Sequence, residues 1–257
     1  MICNLHTHTK RCHHAEGEDR EYVLRAIEGG LKIFGFSDHA PYRYPDGHED
    51  GYRVPVAEAD EYIESITALR EEFKDKINIK IGFEMEYYPF YFKDMLKYVC
   101  SLGIDYLILG QHFIKNGELN INNGGHTETE LALYVDTLIE GMKTGAFTYL
   151  AHPDMFNYSE NTEIYKREMR RLCEAAKALS LPFEINFLGV RRGRRYPNPL
   201  FWEIAGEIGC KVVFGFDAHL PEHAYDGKSF EKVLEIVRKN RLEVIDIPDI
   251  KDPEKAL

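Results

Sequence analysis

The sequence predicts an α/β protein of seven strand–helix units whose parallel strands close into a barrel, with a metal site at the C-terminal rim of the strands. Two observations predict it. Short apolar runs alternate with amphipathic segments, at intervals of roughly 30 to 45 residues, as in the βα units of a parallel sheet. Ligand-type side chains also recur where nearly every apolar run ends. In a barrel those ends meet around one axis, where active sites lie. In an open doubly wound sheet the outer strands stand too far apart to share a site. The ligands therefore favour a barrel, one strand short of the usual eight.

The first strand is expected over 2–8, where Ile2-Cys3-Asn4-Leu5 leads into His6-Thr7-His8. A helix over 20–31 precedes the strand 32–39, which ends Phe34-Gly35-Phe36-Ser37-Asp38-His39. The helix 56–75 has a clear period: Tyr62, Ile63, Ile66, Leu69 and Phe73 share one side, and Pro55 stands at a favourable start. Further strands are expected over 78–86, 106–113, 148–153, 182–187 and 211–217. Helices over 91–102, 128–144, 162–180, 198–209 and 229–240 follow them. Gly103, Gly145 and Gly209 each stand just after a helical pattern, where a left-handed cap is needed. Ala40–Pro55, Lys115–Thr127 and Leu188–Pro199 read as loops over the rim, and the charged tail after Asp246 as a loosely held end. With no linker or repeat beyond this rhythm, residues 1–257 read as a single domain.

The hydrophobic fraction of 44% is ordinary for a globular protein. No run approaches the roughly 20 apolar residues of a membrane span, and the N-terminus has no signal-like segment. The expectation is a cytoplasmic protein without a membrane partner. The five cysteines are scattered and form no CxxC, as expected of reduced, mostly buried thiols. A formal charge of -11 argues against nucleic acid as a partner. It leaves room for a small anionic substrate, because bound metals can reverse the local field. The sequence carries no signal of oligomeric state.

Imidazole is the commonest metal-ligand side chain. In His6-Thr7-His8 the spacing puts both rings on one face of a strand, a weak signal alone. Asp217-Ala218-His219, after Val212-Val213-Phe214, is stronger. Glu84 ends another apolar run, and its two oxygens could bridge two ions. His39, His112 and His152 each end a further run, and His13 or His14 could reach back over the rim. His48, His126 and His223 lie in polar loops and read as hydrated. Asp38, Glu86 and Asp154 lie near the ligands, either as acceptors that orient histidines or as hydrated carboxylates. Imidazole and carboxylate without thiolate suit zinc, iron or manganese.

On these residues the chain resembles the polymerase-and-histidinol-phosphatase (PHP) superfamily of metal-dependent phosphoesterases, and within it the stand-alone histidinol-phosphatases. The matching stretches are His6-Thr7-His8-Thr9, Cys12-His13-His14-Ala15-Glu16-Gly17, Ser37-Asp38-His39, Gly82-Phe83-Glu84, Gly110-Gln111-His112, Ala151-His152-Pro153-Asp154 and Gly215-Phe216-Asp217-Ala218-His219. They run in family order over nearly the whole chain. The resemblance implies a distorted seven-stranded, TIM-like (β/α)7 barrel and up to three divalent metal ions. It implies His6, His8, Glu84 and Asp217 on the first metal, Glu84, His112 and His152 on the second, and His14, His39 and His219 on the third. His14 is preferred to His13 because it precedes Ala15-Glu16-Gly17.

The implied activity is hydrolysis of L-histidinol phosphate to L-histidinol and phosphate, serving histidine biosynthesis. Phosphomonoester hydrolysis is among the slowest uncatalysed reactions. Clustered metals acidify bound water toward a pKa of about 7 and neutralise phosphoryl charge. A hydroxide bridging the first two metals is expected to attack phosphorus in line. Arg191 or Arg192, in a stretch that also resembles the histidinol-phosphatases, is expected to clamp the phosphate, with Arg194 and Arg195 as a hydrated basic loop. The leaving alkoxide takes its proton from Asp38, a metal-bound water or a loop histidine. Glu16 or Glu86 is expected to face the substrate amine, and Tyr42, Tyr44 and Tyr88 to wall its imidazole. The rival readings are a PHP phosphoesterase acting on a phosphotyrosine protein, a sugar phosphate or a nucleotide, and a metal-binding module without catalysis. Exonuclease activity is disfavoured because no basic, aromatic-interleaved surface is visible.

Overall fold

Parallel pairing organises the chain. In the computed structural model, which describes residues 1–257, β1 (Cys3–Asn4), β2 (Ile33–His39), β3 (Asn78–Met85) and β4 (Tyr106–Leu109) form one parallel sheet in that order. An antiparallel hairpin follows, β5 (Phe113–Ile114) with β6 (Leu119–Asn120). A second parallel sheet contains β7 (Phe183–Asn186), β8 (Lys211–Gly215) and β9 (Glu243–Val244). Single parallel bridges link the two sheets, Leu109 to Leu150, Leu150 to Phe183, and Thr7 to Ala218. The fold is α/β, with a curled parallel sheet as its frame.

The helices are α1 (Asp19–Glu28), α2 (Ala59–Phe73), α3 (Phe92–Ser101), α4 (Glu128–Lys143), α5 (Thr162–Ala178), α6 (Phe187–Arg192), α7 (Pro199–Ile208) and α8 (Phe230–Asn240). Their starts are written locally. Thr127 and Glu130 close a reciprocal cap on α4, Asn161 caps α5, and Asn198 caps α7 ahead of Pro199. Gly103, Gly145 and Gly209 all have positive φ, as a left-handed helix end requires.

Several elements differ from expectation. The strand expected over 148–153 is reduced to the bridge at Leu150, because His152 turns left-handed (φ +31°) ahead of Pro153. The first strand pairs only at Cys3–Asn4, and His6-Thr7-His8 keeps one bridge, at Thr7. The segment read as a loop over Lys115–Thr127 holds β6, which pairs back on β5, and that over Leu188–Pro199 holds all of α6 but its first residue. Asn186 caps α6, and Gly193 ends it in a left-handed conformation. The tail is not loose. Lys251 N–H donates to Thr148 Oγ1 at 3.2 Å, Pro253 is buried, and the Pro253–Ala256 turn packs on α3. No helix is long and apolar enough to cross a membrane.

The main apolar core lies between the sheets and the helices. A smaller cluster of Cys3, Leu5, Tyr106, Ile108, Tyr149, Ala151 and Val213 fills the inside of the curl. Residues of non-neighbouring strands can touch only on the concave face. Glu84 pairs in register with Ile108, and Glu184 with Val213, so both carboxylates share that face, nearer the C-terminal ends. Tyr106 sets the spacing of this interior. Its hydroxyl donates to the Leu5 carbonyl at 2.7 Å, and its ring fills the room left by Gly35, where a Cβ would stand 2.3 Å from the hydroxyl oxygen. Gly35→Ala is therefore expected to destabilise the fold by about 1–3 kcal/mol through overpacking. Urea unfolding would show it, and an unchanged midpoint would refute it.

Candidate metal centre

The C-terminal ends of the strands deliver the ligands. His39 is the last residue of β2 and lies beside Glu84 of β3 in the ladder. His112 stands just past β4, and Asp217 and His219 just past β8. Asn4 splices the first limb to the last. It donates to Thr7 Oγ1 at 2.9 Å and accepts from Phe216 N–H at 2.8 Å, while His8 N–H donates to the Ala218 carbonyl at 2.9 Å.

Glu84 is the hub, 1% exposed. Its Oε1 lies 2.7 Å from His152 Nε2 and 3.6 Å from His112 Nε2. Its Oε2 lies 3.1 Å from His39 Nδ1 and 3.6 Å from Nε2 of both His6 and His8. Asp217 Oδ1 lies 3.2 Å from His8 Nε2, 3.3 Å from His219 Nδ1 and 3.7 Å from His6 Nε2. The Nε2 atoms of His6 and His8 are 3.2 Å apart. The His14 ring lies 4.8 Å from that of His219 and 5.3 Å from that of His39. All nine residues expected as ligands thus converge on one cluster. Gly110 makes room for it, since a Cβ there would stand 1.9 Å from Glu84 Oε1.

Three further carboxylates stand behind the rings. Glu184 Oε2 accepts from His6 Nδ1 at 2.6 Å, Asp38 Oδ1 lies 3.3 Å from His8 Nδ1, and Glu86 Oε1 lies 3.2 Å from His112 Nδ1. Each fixes its ring with Nε2 turned inward, the arrangement that orients metal-binding histidines. Glu184 escaped the sequence reading. Its signal was a lone carboxylate in the apolar run Phe183-Glu184-Ile185, where a buried charge needs a partner. Asp154, one of the candidates for orienting a histidine, instead accepts from Asn198 N–H and Trp202 Nε1, and burial pushes it up to about 7.

The cluster fits a divalent cation. Buried Glu84 Oε2, Asp217 Oδ1, His39 Nδ1 and His152 Nδ1 have no hydrogen-bond partner. No lysine or arginine is among the nine residues; apart from the Asn186 amide on Asp217 Oδ2, the two carboxylates meet imidazoles. Such a donor set is matched by divalent transition metals. Burial alone would keep His6 neutral, but Glu184, Asp217 and Glu84 outweigh it and push its pKa up to about 10. Burial opposes the charge of Glu84, yet His112 and His6 hold it well below the usual carboxylate range. His39 and His219 go the other way, kept neutral chiefly by burial. Backbone strain sits here too: His152 (φ +31°) and Asp217 (φ +48°) are left-handed, at a cost of about 1–3 kcal/mol each.

The cluster floors a cavity of about 360 Å³, within the range of small-molecule sites. Tyr52, Phe113, Asn120, Asn122, Met155, Leu188, Arg194 and Tyr196 wall it. Tyr52 stacks on Phe113 at 5.4 Å, and the β5–β6 hairpin pairs Phe113 with Asn120 at the mouth.

Several expected residues are not at this wall. Asp38 is fully buried and accepts from Thr9 N–H at 3.0 Å and His39 N–H at 2.9 Å, as well as facing His8, so it is spent on holding that ring. Glu86 is consumed by Arg53, whose Nη1 lies 2.6 Å away, and by His112. Tyr42 packs on the Arg53 guanidinium and Tyr88 lies beside it, behind the site. Tyr44 donates to Asp50 and stacks on His48. The Glu16 side chain is exposed, and only its backbone N–H meets the site, at the His219 carbonyl. Arg192 is exposed, and Arg191 turns to Asp226 and the carbonyls of Phe216 and Asp217. The arginine on the cavity wall is Arg194. Glu86 and Arg191 each found a nearer partner in a remote part of the chain, Arg53 and Asp226, while Glu16 and Arg192 point to solvent.

A curled parallel sheet with an imidazole–carboxylate cluster at its C-terminal rim defines a metal-dependent enzyme class. The PHP domain pattern matches residues 4–187, and the chain belongs to the PHP domain family. It is 30% identical over 233 residues to the "Probable histidinol-phosphatase" of Deinococcus radiodurans, covering 86% of this chain and 87% of that one. It is 27% identical over 265 residues to the histidinol-phosphatase of Bacillus subtilis, covering 90% and 97%. The structure of histidinol phosphate phosphatase from Lactococcus lactis, complexed with zinc, L-histidinol and phosphate, superposes with a TM-score of 0.72 over 98% of each chain at 19% identity.

Two outcomes are expected. Glu184→Gln should weaken metal binding by roughly 10- to 100-fold with the fold intact, as loss of a histidine's orienting partner does. Competition against a chromophoric chelator reads it, and wild-type affinity would refute it. Metal loading at pH 7 should release protons, because His6 is held protonated up to about 10 in the metal-free protein and must free Nε2 to ligate. Affinity should therefore rise with pH. Calorimetry in two buffers of different ionisation enthalpy should give different heats, and identical heats would count against it.

Proposed function

We propose that this chain is a metal-dependent phosphomonoesterase that hydrolyses L-histidinol phosphate to L-histidinol and phosphate, in histidine biosynthesis. What carries the reading is the convergence of nine ligand-type residues at the floor of one cavity, in a chain whose relatives include the histidinol-phosphatase of Bacillus subtilis and the "Probable histidinol-phosphatase" of Deinococcus radiodurans. In this reading His6, His8, Glu84 and Asp217 would hold one ion, Glu84, His112 and His152 a second, and His14, His39 and His219 a third. The split of Glu84 supports the first two groups, with Oε1 toward His112 and His152 and Oε2 toward His6 and His8, although Oε2 also lies 3.1 Å from His39 Nδ1. Zinc, iron and manganese all suit these donors. Such ions supply Lewis acidity at the phosphoryl group and acidify water.

The chain's own residues do the rest. Glu184, Asp38 and Glu86 keep three rings oriented. Arg194, rather than Arg191 or Arg192, offers the guanidinium fork that fits phosphate oxygens. The Tyr52–Phe113 stack, with Asn120 and Asn122 beside it, forms a flat wall with polar groups suited to an imidazole. The reading takes residues 1–257 as one PHP-type domain, because Asp217 and His219 lie beyond the matched range yet join the cluster. It takes the two sheets as one distorted seven-stranded TIM-like barrel, for which the bridges at Thr7, Leu109 and Leu150 speak.

One observation favours a second reading, a PHP phosphoesterase with another small phosphorylated substrate. Glu84 and Asp217 are the only carboxylates lining the cavity, so the amine of histidinol phosphate would find no other acidic partner there. A kcat/KM panel over histidinol phosphate, phosphotyrosine and sugar phosphates decides between them. Histidinol phosphate should lead, chelation should abolish turnover, and added divalent metal should restore it. Arg194→Ala should lower kcat/KM by about 10- to 100-fold, the worth of one hydrogen bond to a charged group. A chain inert toward the whole panel when metal-loaded would end the phosphatase reading.

A further inference from the structure

α6 grips the Asp217 limb from both ends. At its start the Asn186 side chain donates to Asp217 Oδ2 at 3.0 Å. In its last turn Arg191 Nη2 donates to the carbonyl oxygens of Phe216 and Asp217, both at 3.0 Å. Arg191 Nη1 pairs with Asp226 at 3.0 Å, the two side chains only 10% and 5% exposed. Asp226 is itself fixed, accepting from Ser229 N–H at 3.1 Å. The guanidinium thus stands behind the turn. It lines a separate cleft of about 340 Å³ with Arg25, His223 and Lys228, not the metal cavity.

The turn needs holding. Asp217 has φ +48°, a conformation that a residue with a Cβ rarely adopts. Both carbonyls around it meet one nitrogen of a rigid, planar group that has no acceptor of its own. Relaxing Asp217 toward ordinary φ would swing these carbonyls off Arg191 and the carboxylate off the cluster. His219 rides on the same limb, its Nδ1 3.3 Å from Asp217 Oδ1.

We propose that Arg191, anchored by Asp226, is a positioning residue that holds the 216–219 turn in the shape that presents Asp217 and His219 to the metal, and that it does not bind the substrate's phosphate. The proposal rests on Asp217 being a metal ligand.

The test titrates the metal-free full chain with Co²⁺ against a competing chelator, records the visible spectrum of the loaded protein, and measures kcat and KM for p-nitrophenyl phosphate. Arg191→Met should weaken Co²⁺ binding by about tenfold or more, alter the visible bands and lower kcat, with KM held within about twofold. Arg191→Lys should not rescue it, because an ammonium cannot serve two carbonyls and Asp226 with the same fork geometry. Asp226→Asn should shift the same readouts in the same direction, by less. Wild-type Co²⁺ affinity and spectrum in Arg191→Met, with a raised KM, would overturn the proposal and return Arg191 to the substrate. Should Arg191→Met fail to fold by circular dichroism, Asp226→Asn decides on the same readouts. Asp217→Asn separates the two claims. Unchanged Co²⁺ binding there defeats the ligand reading itself. Weakened binding there, with wild-type binding in the Arg191 and Asp226 variants, defeats only the positioning role.

Discussion

Two carboxylates buried among imidazoles are the constraint on which the rest of this structure depends. A carboxylate taken out of water is tolerated only when paired. Glu84 and Asp217 are almost wholly buried, and their near neighbours inside the cluster are histidines. Without metal, protons on such rings as His6 supply the compensating charge. A divalent cation would supply it better, because it could meet a carboxylate and ring nitrogens at once. Folding and metal binding are therefore coupled through the same atoms.

The outer carboxylates turn a crowd of rings into a directed site. Glu184, Asp38 and Glu86 each take the outer nitrogen of one histidine, so that the inner nitrogen points at the cluster. Two of them are themselves held further out. Glu86 leans on Arg53, which also pairs with Asp50 and packs on Tyr42 and Tyr52. Glu184 accepts from Asn186, which also donates to Asp217. Each layer restrains the one inside it, and rings so restrained lose little freedom on binding an ion.

The mouth of the cavity follows a different logic from its floor. The floor comes from strand ends, whose positions the backbone ladder dictates. The walls come from the 40–55 loop, the β5–β6 hairpin and the chain after α6, which meet only in the folded state. Arg195 donates to the Asn122 carbonyl, tying the third of these to the segment after the hairpin. The cavity walls thus depend on these tertiary meetings, while most of the cluster on its floor depends on the sheet.

The parallel α/β class and most helix positions were legible in the sequence by itself, and the resemblance to the PHP superfamily picked out the nine residues that the fold brings together. Parallel strands release their C-terminal residues at one rim, so a histidine or carboxylate at the end of an apolar run, such as His39, Glu84 or Asp217, has little choice of place; His14, beyond the Lys10–Cys12 turn, was legible only through the resemblance. Strand extents were less legible, since the left-handed backbone at His152 cut short a segment that reads as strand. Tertiary structure alone decided which second residues serve the site. Nothing local shows that Asp226 captures Arg191, that Arg53 captures Glu86, or that Tyr52 rather than Tyr42 faces the cavity. A long side chain goes to the partner that relieves its burial most, and that partner lies dozens of residues away.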